Sequence, residues 1–97
     1  MKKTPLSIFT LPNTTTGDII KAFRKNFDIA QDDIAWACGL SQANLSAIEN
    51  DRRALGPKVA VKLAAFLGIS PTILLFPNGY QNLEEYKEVL AKKKKIS

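Results

Sequence analysis

The chain has 97 residues, 45% of them apolar and 24% charged, which is enough for one modest core and places it among globular rather than disordered proteins. One cysteine and no histidine exclude a disulfide framework, the usual zinc sites and imidazole acid–base catalysis, so neither a cofactor nor an enzyme activity is expected. The net charge of +5 suits nucleic acid or an acidic surface, but the excess sits on the flanks: residues 1–29 carry five cations and two anions, residues 30–76 four of each, and residues 77–97 five cations and three anions.

Residues 1–12 hold two lysines and then apolar residues, but Pro5, Ser7, Thr10 and Pro12 interrupt any signal-peptide core, and nothing approaches a transmembrane run. A cytosolic chain with no membrane partner is expected. Leu6, Ile8 and Leu11 leave three readings of this arm open: disordered, a strand that pairs with another chain, or a segment that folds on a partner.

The periodic segments that follow are short and helical. Ile19, Ile20, Phe23 and Phe27 recur at three- and four-residue steps and line one face of a helix over residues 18–27, opened by the threonine run 14–16. A second helix over residues 31–38 turns Ile34, Ala35 and Cys38 inward and ends at Gly39, which permits a left-handed reversal. Ser41 caps a third helix reaching Asn50, with Leu45 and Ile48 on its buried side, Leu40 beneath them, and Ala43, Ser46, Ala47 and Asn50 pointing outward.

Pro57 opens a fourth helix whose Val59, Ala60, Leu63, Ala64 and Leu67 repeat at helical spacing before Gly68 stops it. Ser70 caps a very short fifth helix through Phe76. Pro77, Asn78 and Gly79 break the chain, and residues 82–95 form a last amphipathic helix with Leu83, Tyr86 and Leu90 on one stripe. The fold class is all-α. Three units are expected: an arm (1–12), a helical domain (13–77) and a C-terminal helix with a basic tail (78–97).

The stretch QDDIAWACGLSQANLSAIENDRR packs a helix, a glycine turn and a second helix into about twenty residues, which is helix-turn-helix spacing. From about Phe23 to Phe76 the chain resembles the lambda-repressor and Cro family of XRE-type regulators. The resemblance rests on Gln31, Ile34-Ala35, Gly39-Leu40-Ser41, Ile48-Glu49, Leu63-Ala64 and Leu67-Gly68. It implies a five-helix lambda-repressor-like domain, here with an extended N-terminal arm and an extra C-terminal helix.

The resemblance also implies site residues. Gln42 and Asn44 become base readers whose amides can form paired bonds with adenine in the major groove, with Ala43, Ser46 and Ala47 facing the same groove. The two alanines offer only methyl contacts, so direct readout is sparse. Gln31, Asn50, Arg52 and Arg53 become phosphate contacts, Gln31 from the start of the second helix. Arg24 and Glu49 match a structural ion pair joining the first and third helices. Two positions depart from the family pattern: Ala30 stands where a Thr or Ser cap is common, and Asp51 replaces a common glycine.

Other conspicuous residues have structural readings. Cys38 sits on an inward face with no histidine to activate it, and Asp32 and Asp33 complement a helix dipole. The lysine run 92–95 is explained by the opposite end of a dipole, or by tethering DNA. Trp36, outward on the second helix, would either meet another protein or fold back against the first or last helix.

One helix-turn-helix unit reads few base pairs, so a homodimer on a palindromic operator is expected, with Ile73, Leu74, Phe76, Leu83, Tyr86 and Leu90 at its interface and Trp36 as a further contact. The leading role is a repressor of its own operon. The alternatives are an antitoxin that binds a cognate toxin while repressing its operon, and a helical adaptor without DNA binding.

Overall fold

The computed structural model describes residues 14–96, so the N-terminal arm lies outside the described residues. Six helices follow one another without a strand among those residues: α1 (Thr16–Asn26), α2 (Gln31–Ala37), α3 (Gln42–Glu49), α4 (Pro57–Leu67), α5 (Pro71–Leu75) and α6 (Glu84–Ile96). Helix α1 starts two residues earlier than its apolar period indicates. The Thr15 hydroxyl accepts from the Asp18 amide while the Asp18 carboxylate accepts from the Thr15 amide, a reciprocal cap that satisfies two otherwise orphaned donors.

Helices α1 to α4 all end on a residue with positive φ. Gly39 and Gly68 take that conformation at no steric cost, whereas after α1 and α3 the position is filled by Asp28 (φ 54°) and Asp51 (φ 56°). After α3 the Arg52 amide donates to the Ala47 carbonyl and the Asp51 amide to the Ile48 carbonyl, and the same two-bond closure follows α1 and α2. These closures turn the chain sharply enough for α1 to α5 to surround one core.

Ile19, Ile20, Phe23, Ile34, Leu45, Leu63 and Leu74 have almost no exposure, and Leu40, Val59 and Ile73 pack partly buried against them. This is the inward set read from the periodicity, with two corrections: Phe27, expected on the inward face, caps the end of α1 and is 36% exposed, and Leu74, expected at an interface, is wholly buried, with Ile73 serving the same core. A helix of five residues shows too little period to tell its inner from its outer face.

Cys38 is buried, and burial pushes its thiol up against the smaller lowering influence of Lys62. The thiol is thus a core group held away from its reactive form. Helix α2 has a weak start, because Ala30 takes the cap conformation (φ −72°, ψ 148°) without a side-chain bond. Ala30→Ser is expected to stabilise the protein by about 1 kcal/mol, raising the urea midpoint with an unchanged slope.

Candidate nucleic-acid interface

Helices α2 and α3 are joined by the turn 38–41, in which Gly39 (φ 66°) reverses the chain and the Ser41 hydroxyl accepts from the Asn44 amide to start α3. Leu45 and Ile48 anchor α3 inward, which leaves Gln42, Ala43 and Asn50 exposed and Ser46 and Ala47 half-exposed on its outer side. The outer face of α3 is therefore polar at its two ends and small in the middle.

A chain of hydrogen bonds fixes this face to the core. Glu49 is 1% exposed, and Arg24 meets it with two parallel bonds, Nε to Oε2 at 2.8 Å and Nη2 to Oε1 at 2.9 Å. The third Arg24 nitrogen donates to the Ile29 carbonyl at 3.2 Å, closing the turn after α1. Gln31 Nε2 donates to Glu49 Oε1 at 3.1 Å, and Gln42 Nε2 donates to Gln31 Oε1 at 3.5 Å. The first residue of α3 is thereby coupled, through the first residue of α2, to an ion pair between α1 and α3. One amide hydrogen of Gln31 is committed to Glu49 while its oxygen accepts from Gln42, so Gln31 braces the first side chain of α3.

The end of α3 is tied to α1 as well. Asp51 accepts from the Thr15 hydroxyl at 2.6 Å and from the Gly17 amide at 3.0 Å. This aspartate fastens the exit of α3 to the start of α1. Gly17 is buried where the two backbones touch, and an added Cβ would collide with the Glu49 carbonyl group.

Asn50 donates to the Ser46 carbonyl at 2.9 Å, which holds its side chain back along the helix. Its Oδ1 accepts from Lys21 at 3.4 Å. Lys21 is thus a cation at the edge of the α3 face that the sequence reading missed. The signal was the phase of α1: Lys21 is one turn before Arg24, on the side that meets α3. Arg52 and Arg53 are exposed in the loop after α3, with no ion pair among the described residues.

Asn44 is half-buried on the same helix. Its Oδ1 is buried without a partner, so a two-atom contact with adenine requires the side chain to turn. Trp36 is 85% exposed on α2 and folds back against neither α1 nor α6.

Among the described residues no group of three His, Cys, Asp or Glu side chains is placed to hold a metal ion, and no helix is long and apolar enough to cross a membrane. Phe76, Tyr80, Leu83, Tyr86 and Leu90 remain partly exposed around an apolar groove of about 610 Å³ beside α6, remote in sequence from the α3 face.

Comparison with known proteins agrees with this geometry. No curated protein sequence matches the chain. A solved complex of the SinR protein with the SinI protein shares its fold, with a TM-score of 0.60 and 22% identity over 82% of this chain and 79% of that one. The sequence pattern of the helix-turn-helix family matches residues 20–74, which is more than half of the chain. The chain therefore belongs to the helix-turn-helix family of lambda-repressor (XRE) type, and it carries a DNA-binding domain of a regulator rather than an enzyme.

Proposed function

We propose that this protein is a cytoplasmic, sequence-specific transcriptional repressor that binds a palindromic operator in its own operon as a homodimer. The observation that carries the reading is the bonded chain Arg24–Glu49–Gln31–Gln42, which orients the leading side chain of α3 from inside the core. A side chain held in advance loses little freedom on binding, so its bonds to a base edge discriminate sequences instead of offsetting disorder. Residues 13–77 act as the DNA-binding unit and residues 78–97 as an appended helix.

In this reading Gln42 and Asn44 read bases, and Ala43, Ser46 and Ala47 line the groove wall. Lys21, Gln31, Asn50, Arg52 and Arg53 meet phosphates. Two copies place their α3 helices one turn apart, about 34 Å, along one face of the duplex.

The roles separate experimentally. Gln42→Ala is expected to lower operator affinity roughly tenfold while leaving random duplex unaffected, which flattens sequence preference. Replacing Arg52 and Arg53 by alanine is expected to weaken both duplexes alike and to reduce the salt slope by about 2 per protomer. Equal losses on operator and random DNA with Gln42→Ala would remove it from the base readers. Anisotropy titrations at two salt concentrations measure both effects.

A second reading, an antitoxin that also represses its operon, is favoured by the exposed indole of Trp36, whose desolvation by a protein partner would contribute strongly to binding. The fold neighbour SinR is itself seen in complex with another protein, SinI. A neighbouring reading frame that is toxic alone and harmless with this protein, but toxic again with Trp36→Ala, would support this role.

A further inference from the structure

We propose that the apolar groove beside α6 is occupied by α6 of a second copy of this chain, running antiparallel. The proposal deepens the homodimer reading above by naming its interface and orientation. Helix α6 is 13 residues long and buries none of them. A helix of that length is marginal in water without something to pack on.

Its apolar residues nevertheless share one side. Phe76, Tyr80, Leu83, Tyr86, Val89 and Leu90 line the groove, and rings stacked edge to face, Phe76 on Tyr80 and Tyr80 on Tyr86, build its wall from the end of α5 onto α6. Leu83, Tyr86 and Leu90 are each about two-fifths exposed and Val89 is 67% exposed. Together they form a stripe at three- and four-residue spacing, the pattern that a second helix covers.

The charges choose the occupant and its direction. The first half of α6 holds Glu84, Glu85 and Glu88 with one lysine, and the second half holds four consecutive lysines, 92–95. A parallel copy would set lysine block against lysine block. An antiparallel copy sets Glu84 and Glu85 against the partner's Lys92 and Lys93, so the two ends of the stripe are electrostatically complementary. Aligning Tyr86 with Leu90 of the second copy, and Glu85 with its Lys92, puts Val89 beside the twofold axis. With Leu74 and Ile73 committed to the core, the α6 stripe is the part of the expected helix α5–α6 interface that is left for an isologous contact.

The test combines charge reversal with cross-linking in the full chain. Reversing the lysines (K92E, K94E and K95E) or the acids (E84K, E85K and E88K) is expected to weaken dimerisation at least roughly tenfold by sedimentation, and an equimolar mixture of the two variants is expected to restore it. Reversal also opposes the dipole of α6, so cysteine placement gives a second, independent readout. Val89→Cys is expected to form a disulfide-linked dimer under mild oxidation. Ile96→Cys is not, because its two copies would lie about 24 Å apart in the antiparallel pair. The native Cys38 is buried and does not compete.

Cross-linking of both variants would mean a parallel pair and overturn the proposal. So would a dimer indifferent to the reversals, or a wild-type monomer, whether the groove is then covered by residues 1–13 or by another protein. These failures leave preference for a single half-site duplex intact, whereas failure of the DNA reading abolishes that preference whatever the oligomeric state.

Discussion

Replacing Arg24 by alanine is expected to lower the unfolding free energy by about 3–5 kcal/mol, because it strands a buried carboxylate. Glu49 is 1% exposed and takes two bonds from the guanidinium. The remaining donor, Gln31, is a neutral amide and leaves the charge uncompensated. Small domains have only about 5–15 kcal/mol in total, so a large share of the stability is at stake. Urea unfolding followed by circular dichroism measures it.

Removing both partners separates stability from orientation. Arg24→Met together with Glu49→Leu is expected to recover most of the loss, since apolar residues of similar volume often replace a buried pair without net cost. That protein would still lack the acceptor for Gln31, and through it the brace on Gln42. It is expected to fold but to prefer its operator less than the wild type. Equal preference in both proteins would mean that the polar chain serves only the fold.

Gly17→Ala is expected to cost about 2 kcal/mol, or roughly 10 °C in melting temperature for a domain of this size. The sign is not obvious from α1 alone, where alanine is a better helix former than glycine by about 1 kcal/mol. The deciding fact is the neighbour. The new Cβ would stand 2.7 Å from the Glu49 carbonyl carbon and 2.9 Å from Asp51 Oδ1, and backbone cannot swing aside as a flexible side chain can. α1 and α3 would have to part, stretching the Gly17–Asp51 bond and the Arg24–Glu49 pair together. A raised melting temperature would show that this contact relaxes more easily than the geometry indicates.

The sequence announced most of α2, the turn and α3, because local chemistry decides them: Gly39 supplies the positive φ, Ser41 the cap, and Leu45 with Ile48 the buried phase. What it hid depends on residues far apart in the chain. Gly17 reads as a weak helix former until Glu49 is seen against it. Asp51 reads as a substitute for glycine until Thr15 and Gly17 are found donating to its carboxylate. Lys21 became part of the site only through Asn50.

Leu74 and the α6 stripe were hard to read for opposite reasons. Five residues were too few to show that Leu74 faces inward, and an amphipathic pattern such as that of α6 is the same whether its partner is the core or another chain. The burial of the Asn44 amide oxygen was likewise illegible, because it depends on packing that periodicity does not report.

Fluorescence anisotropy of the purified protein on its own upstream DNA and on a random duplex of equal length, at low and physiological salt, tests the central claim most directly. Selective binding of the upstream duplex that survives physiological salt is the predicted result. Weak binding that is equal on both duplexes and vanishes with salt would contradict sequence-specific recognition by α3.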